Sequence, residues 1–349
     1  MASGRRAPRP RLERGAEAKL TALGRLLPAS LQDAIRRQAS SVGLGGILGD
    51  LFLTHPPDPL GLDPALAKRW FFVLDQTLGR YFRPTVLGAE NLPAGRCLVI
   101  GCHSGVIPYD AACLVVAIRQ HTGRFARAIG DRFFGRRAAV ERYLRACGAM
   151  IGEPAGVEAA LRRDELVVAF PGGALDMCHP IWERYRVRAH RGFAPGRGGY
   201  VKAALRTGSP IVPVAIVGAE ETHLMLGDVA PLARLLGVPF FPIVASAWPL
   251  PAHLYLRFGA PIHLAGSAGA ANVQSLVDRL NADVRQTLQA LIDDTVRHRR
   301  GIYWSTYVED TVPTPAQPEA RVARAARSPT RRSPAGRGNG RASTRRPSR

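Results

Sequence analysis

A histidine and an aspartate stand at the two ends of one short loop. Residues 97–102 form an apolar run typical of a β-strand, and His103 follows it directly. Asp110 lies seven positions later, at the start of a segment predicted to be helical. A carboxylate there could accept the ring N–H of the histidine, and the other ring nitrogen could take a proton from an alcohol. By itself the pair is typical of a general base or of a purely structural contact.

Two glycines follow a second predicted strand. Residues 166–170 are apolar and continue into Pro171, Gly172 and Gly173, with Asp176 three positions further on. Glycines in such a place let backbone N–H groups approach an anion or a polar head group. An ordinary strand-to-helix turn would explain the same segment.

Cationic side chains are concentrated after this turn. Six of them fall within 19 residues: Arg184, Arg186, Arg188, Arg191, Arg197 and Lys202. The cluster indicates either a solvated face or a contact with the phosphates of a carrier or of lipid head groups.

The elements that must position these residues alternate between strands and helices. Further strands are predicted at 125–129, 211–217 and 253–258, the last of them nearer an edge of the sheet. Helices are predicted at 15–40, 63–82, 109–120, 136–147, 197–207 and 270–297. The expected fold class is α/β, with a mixed, mostly parallel sheet flanked by helices. In such sheets, polar residues at the carboxyl ends of strands are placed to meet a ligand.

Charge and composition divide the chain into three parts. We expect a basic N-terminus and short helical platform at 1–84, the main α/β domain at 85–300, and a disordered tail at 301–349. Of the net charge of +21, residues 1–19 carry +4 and residues 311–349 carry +9. An anionic membrane is the expected partner of the Arg/Pro/Ser-rich tail, with nucleic acid as a weaker alternative. A solvated tail without a dedicated partner would look the same.

Other features bear on the compartment. Five cysteines without a C-x-x-C pair favour reduced thiols over disulfides or a zinc site. We expect no secretory signal, and no run of about 20 apolar residues is present. The nearest run, 229–250, holds Arg234 and four prolines. Two interpretations stay open for this run: an apolar loop or short helix that lies in a membrane interface, and a hairpin that is buried in the core.

Taken in order, these blocks resemble the glycerolipid acyltransferase superfamily over residues 85–265. The chain is most similar to the branch related to diacylglycerol acyltransferases and to bacterial lysophospholipid acyltransferase-like proteins. That branch reads His-Ser/Gly-Gly-x-x-Pro-x-Asp, Phe-Pro-Gly-Gly-Ala-x-Glu and Val-Pro-Val-x-x-Val-Gly-Ala-Glu-Glu. Residues 103–110, 170–176 and 212–221 match these blocks. Gly172 stands where better-known members carry Glu, and Asp176 is one methylene shorter than the Glu of the branch.

The resemblance implies acyl transfer from acyl-CoA or acyl carrier protein to a hydroxyl of a lipid acceptor, such as a lysophospholipid or acylglycerol. His103 would be the general base and Asp110 would orient it, with no metal and no resident cofactor. The implied location is the cytoplasmic face of a membrane, with the protein peripheral or interfacially embedded. The implied substrate-binding residues are Gly130, Asp131, Arg132, Phe133, Phe170, Pro171, Gly172, Gly173, Asp176, Pro213 and Glu220.

Three further interpretations were weighed against this one. Ser104 could be a nucleophile, but no G-x-S-x-G elbow surrounds it. A non-catalytic lipid-binding scaffold with the same fold is the main alternative, and the His103/Asp110 pair argues against it. A nucleic-acid-binding protein is suggested by charge alone, and the chain shows no recognisable binding motif for it.

Overall fold

The structure, a computed structural model, describes residues 57–131, 138–151, 154–236, 238–264 and 268–303. The strands in this part of the chain are β1 (Thr85–Leu87), β2 (Cys97–Ile100), β3 (Ala126–Gly130), β4 (Met150–Ile151), β5 (Leu166–Ala169), β6 (Ile211–Val217), β7 (Met225–Asp228), β8 (Pro242–Val244) and β9 (Tyr255–Phe258). The main helices are α1 (Pro64–Leu74), α2 (Tyr109–Thr122), α3 (Ala138–Ala146), α4 (Pro154–Arg162), α5 (Gly199–Thr207), α6 (Ala230–Leu236) and α7 (Gln274–His298).

One seven-stranded sheet organises the fold, in the order β1-β9-β6-β2-β5-β3-β4. The five strands from β6 to β4 are parallel, whereas β9 pairs antiparallel with β6 and parallel with β1. The predicted fold class, a mixed and mostly parallel sheet flanked by helices, is confirmed. The carboxyl ends of β2, β5 and β6 therefore meet at one edge of the sheet, which we call the catalytic edge.

Strand β9 lies one position in from the edge of the sheet, with β1 outside it. All four of its residues are buried. The sequence of this strand alternates between apolar and polar because of Arg257. That side chain is nevertheless buried, and its Nη1 lies 2.5 Å from Oδ2 of Asp294 in α7. The prediction of a strand nearer an edge of the sheet agrees with this position, whereas the sequence alone does not reveal the partner that accompanies the burial of Arg257.

Apolar side chains alternate between the two faces of the sheet, and each face has its own core. Leu98 and Ile100 of β2 pack in the core that includes α4, α5 and α7. Cys97 and Val99 pack in the core that includes α1 and α2. Because both faces are covered by helices, the central strands read as unbroken apolar runs.

Helix α1 begins as the sequence predicts. The Asp63 side chain accepts hydrogen bonds from the N–H groups of Ala65 and Leu66, and Pro64 occupies the first helical position. The helix continues through a π-helical turn and a last short turn that ends at Phe82, which confirms the predicted helix at 63–82. The predicted helix at 15–40 and nearly all of the predicted tail lie outside the described residues. At the boundary with that tail, the Ile302 carbonyl accepts a hydrogen bond from the His253 N–H at 2.8 Å.

Residues 229–250 do not form a hairpin buried in the core, so that alternative is wrong. They contain α6 and β8, and β8 pairs with β7 in a separate two-stranded sheet. Leu235 and Trp248 are 81% and 82% exposed. No helix in the described part of the chain is long and apolar enough to cross a membrane.

Candidate active site

The loop between β2 and α2 brings His103 and Asp110 into contact. His103 Nδ1 lies 2.9 Å from Asp110 Oδ2. The N–H groups of Ser104 and Ala111 donate to the two oxygens of the same carboxylate, at 2.8 and 2.7 Å. An ionised carboxylate only accepts hydrogen bonds, so Nδ1 carries the proton and Nε2 keeps its lone pair. Asp110 is fully buried and His103 is partly exposed, which leaves the histidine open to a substrate.

Close packing holds this histidine loop against its neighbours. The His103 ring stacks on Phe170, with ring centroids 3.8 Å apart and planes 13° from parallel. Gly105 has a φ of +93°, and a Cβ atom there would lie 2.5 Å from the Ala219 carbonyl oxygen. Only glycine fits both the left-handed backbone and the close approach to the segment after β6.

The second predicted block surrounds a buried carboxylate. Asp176 is fully buried, and its Oδ1 lies 2.6 Å from Nε2 of His190. Burial raises the pKa of the Asp176 carboxyl, although the Cys102 thiol and the His190 and His103 imidazoles act to lower it. His190 was not identified from the sequence, because it lies 14 positions from its partner in an irregular segment.

The two glycines of this block are used within the protein. The Gly173 N–H donates to the Phe170 carbonyl at 2.9 Å, so it is already engaged in the turn. A Cβ atom on Gly172 would lie well inside 3.0 Å of every atom of the Asp176 carboxyl group. Gly172 therefore makes room for the buried carboxylate.

Carboxyls from three different segments of the chain act on the buried Cys102 thiol. Burial raises the pKa of this thiol well above its usual range, and the negative charges of the Asp176, Glu220 and Asp110 carboxyls act in the same direction. Asp176 follows β5, Glu220 follows β6, and Asp110 lies in the first turn of α2. Phe170 stacks on His103 and Gly105 packs against Ala219, so the segments that follow β5 and β6 both contact the histidine loop.

Glu220 is the second buried carboxyl of the site. Its Oε1 accepts a hydrogen bond from the Tyr185 N–H at 3.0 Å, and Oε2 has no partner among the described residues. Burial raises the Glu220 pKa to about 8, and the nearby Glu221 and Asp176 carboxylates act in the same direction. Glu220 therefore carries a proton near neutral pH.

The other predicted substrate-binding residues are less closely grouped. Gly130 ends β3, and a Cβ atom on Gly173 would lie 4.0 Å from the carboxylate of exposed Asp131. Pro213 is buried inside β6, level with Ile100 of β2. Arg132 and Phe133 lie outside the described residues. The binding roles of all of these stay predictions.

The cationic cluster at residues 184–202, which we call the basic segment, is partly neutralised by carboxylates. Arg188 pairs with Glu183, and Arg184 lies 3.7 Å from Glu221. Arg299, at the end of α7, binds Glu221 at 2.7 Å. Other members of the cluster are exposed: Arg186, Arg191 and Arg197. The described residues contain no group of three or more His, Cys, Asp or Glu side chains that could hold a metal ion.

The sequence that forms this edge matches a known family. The family model described as Acyltransferase matches residues 83–217, which include the His103 loop, the Gly172 turn and β6. An uncharacterized protein of Mycobacterium leprae is 35% identical over 267 residues, covering 71% of this chain and 70% of the relative. The chain belongs to the glycerolipid acyltransferase superfamily, and it is an acyltransferase.

Two more distant similarities accompany these. A protein of Gallus gallus described as a DGAT1/2-independent enzyme synthesizing storage lipids is 24% identical over 205 residues, covering 59% of this chain and 58% of the relative. The crystal structure of the 1-acyl-sn-glycerophosphate (LPA) acyltransferase from Thermotoga maritima superimposes with a TM-score of 0.40 and 14% identity. That alignment covers 74% of this chain and 94% of the other.

Proposed function

We propose that this protein transfers a fatty acyl group from acyl-CoA or acyl carrier protein to a hydroxyl of a lipid acceptor, such as a lysophospholipid or an acylglycerol. The observation that carries the proposal is the 2.9 Å contact between His103 Nδ1 and the buried Asp110 carboxylate. This contact leaves Nε2 as a base on the partly exposed side of the ring.

The reaction needs one proton acceptor that later becomes a donor. His103 Nε2 takes the proton of the acceptor hydroxyl while that oxygen attacks the thioester carbonyl carbon. The tetrahedral intermediate then collapses, the C–S bond breaks, and the thiolate takes the proton from the imidazolium. Asp110 stabilises the imidazolium between these steps and holds the tautomer that starts the cycle.

The surroundings of the histidine favour this role. Phe170 covers one face of the ring, so its orientation is set before substrate arrives. Asp110 accepts two backbone N–H groups in addition to the histidine, which holds its oxygens in place. Such preorganisation supports general base catalysis, which typically contributes about 10²–10⁴-fold to a rate.

The proposed place of action is the cytoplasmic face of a membrane with anionic lipids. Exposed arginines of the basic segment, such as Arg186 and Arg191, support contact with phosphates of the donor or of lipid head groups. We propose no resident cofactor, since acyl-CoA or acyl carrier protein acts as co-substrate.

The test is acyl transfer by the purified full chain from radiolabelled acyl-CoA, and in parallel from acyl carrier protein, to a panel of lysophospholipids and acylglycerols. His103→Ala should lose about 10²-fold or more of the turnover. It should still fold, because Asp110 keeps its bonds to the Ser104 and Ala111 N–H groups. His121→Ala is the matched control, since His121 is exposed near the other end of α2.

The possible results separate the alternatives. Product from the parent and from His121→Ala, with little from His103→Ala, supports the proposal. Equal turnover in all three proteins would refute the role of His103. No product with any donor or acceptor would favour a non-catalytic lipid-binding scaffold.

A further inference from the structure

Several large apolar side chains within one segment after β6 are exposed. This segment, which we call the apolar hairpin, comprises residues 224–236 and 238–250. Its exposed members, as exposed fractions, are Leu226 at 48%, Leu235 at 81%, Leu236 at 55%, Ile243 at 48% and Trp248 at 82%. Single exposed apolar residues are ordinary, but five of them within one folded segment indicate a surface that something covers.

The apolar hairpin is a folded element with its own hydrogen bonds. Among the described residues, β7 and β8 pair with each other and with no other strand, and the Phe241 N–H donates to the Asp228 side chain at 2.7 Å. Met225 and Ala233 are buried on its inner side. Because its backbone is paired, the apolar outer surface has a defined shape.

This element lies at the catalytic edge. It begins three positions after Glu221, and the ring of His223, the residue just before it, stacks on Tyr109 of α2 with centroids 6.0 Å apart. At its other end, the Tyr81 hydroxyl donates to the Pro249 carbonyl at 2.6 Å. Tyr109 adjoins Asp110, so the apolar hairpin is joined to the helix that positions His103.

The charges favour a bilayer as the occupant of this surface. Asp228 and Arg234 are the only charged residues in 224–250. The basic segment contacts the residues that lead into the hairpin, since the Tyr185 N–H donates to Glu220 at 3.0 Å and Arg184 lies 3.7 Å from Glu221. An apolar surface close to a basic segment matches the interface of an anionic leaflet, with head-group phosphates beside acyl chains.

We propose that the apolar hairpin docks this protein onto an anionic bilayer and thereby holds the catalytic edge against the membrane. This inference rests on the proposed function, because a lipid acceptor would reach His103 from that membrane. Leu235 and Trp248 insert among the acyl chains, and Arg186 and Arg191 of the basic segment face the head groups.

The experiment measures binding of the full chain to vesicles of phosphatidylcholine with phosphatidylglycerol. The double variant Leu235→Ser/Trp248→Ser should fold normally, because both side chains are largely exposed. Its partition onto the vesicles should fall by about tenfold or more. The measurement is repeated at high salt, where contributions from basic residues outside the hairpin are screened.

A matched control exists at the far end of the molecule. Val273, 50% exposed, precedes the 25-residue α7, whose other end reaches Glu221 through Arg299. A helix of that length spans roughly 37 Å, so Val273 lies far from the catalytic edge. Val273→Ser should bind vesicles as the parent does. Quenching of tryptophan fluorescence by brominated lipid should be strong in the parent and much weaker in Trp248→Phe.

The outcomes keep the two proposals apart. Equal binding of the parent and the double variant at high salt would overturn docking by the hairpin. A parent that is dimeric without lipid, with a monomeric double variant, would assign the surface to a second copy of the chain instead. His103→Ala should bind vesicles normally, and vesicle binding with no turnover on any acceptor would refute the proposed function while leaving the docking surface intact.

Discussion

The contact between Gly172 and Asp176 makes a quantitative prediction. Gly172 has φ −71° and ψ −19°, a right-handed conformation that alanine adopts without strain. The difficulty for alanine is one of space, because its Cβ would lie well inside 3.0 Å of the whole Asp176 carboxyl group. Ordinary van der Waals contact begins at 3.4 Å. The carboxyl must therefore move, and its 2.6 Å contact with His190 moves with it.

The magnitude follows from two opposed effects. Overpacking of a filled site costs about 1–3 kcal/mol, so Gly172→Ala should lower the free energy of unfolding by that amount. In an Asp176→Ala background the obstruction is gone. The same substitution should then be neutral or stabilising by about 0.4–1 kcal/mol, because alanine restricts the unfolded chain more than glycine does. The coupling free energy between the two positions should therefore be about 1–4 kcal/mol.

The assay is urea unfolding of the parent, both single variants and the double variant, followed by circular dichroism. Gly172→Ala should have the lower midpoint in the parent background and an equal or higher one beside Asp176→Ala. If Gly172→Ala cost the same in both backgrounds, the space argument would be refuted, and Gly172 would be needed for another reason.

Three further predictions concern groups elsewhere in the site and core. The free energy of unfolding should fall as pH rises from about 5 to about 8, because folded Glu220 keeps a proton that the unfolded chain releases. The loss is roughly 4 kcal/mol at most. Denaturant titrations at several pH values should show this dependence on pH, and the dependence should be weaker in Glu220→Gln. Asp110→Asn should lower turnover by about 10²-fold or more, because an amide facing Nδ1 of His103 favours the tautomer of that ring with its proton on Nε2. Full activity in this variant would mean that Asp110 only supports the loop. Arg127→Met should destabilise by roughly 3 kcal/mol in urea unfolding, because buried Arg127 pairs with both Asp58 and Glu165; a loss under about 1 kcal/mol would contradict this.

Local patterns were sufficient for much of the fold. The apolar runs that became β2, β5 and β6 were located within a residue or two, and so were α2 and α5. They succeed because a strand covered by helices on both faces is apolar throughout, and an amphipathic helix repeats its apolar positions.

Short elements were not predicted. β1 has three residues and β4 has two, which is too few to show a period. Helix α4 was missed although it packs on the sheet through Ala160 and Leu161. β1 and β4 depend on pairing with neighbouring strands, which no local pattern reports.

The sequence by itself determined that His103 and Asp110 share one loop at a strand end, because seven positions joined by a single turn leave few alternatives. Only the tertiary structure decided that His190 contacts the buried Asp176 carboxyl and that the Tyr185 N–H binds the buried Glu220. It also decided that the apolar hairpin faces outward and that Gly172 exists to make room for a carboxylate. Parallel strand order brings distant residues to one edge, and that order is set by long-range pairing and packing, which no short stretch of sequence contains.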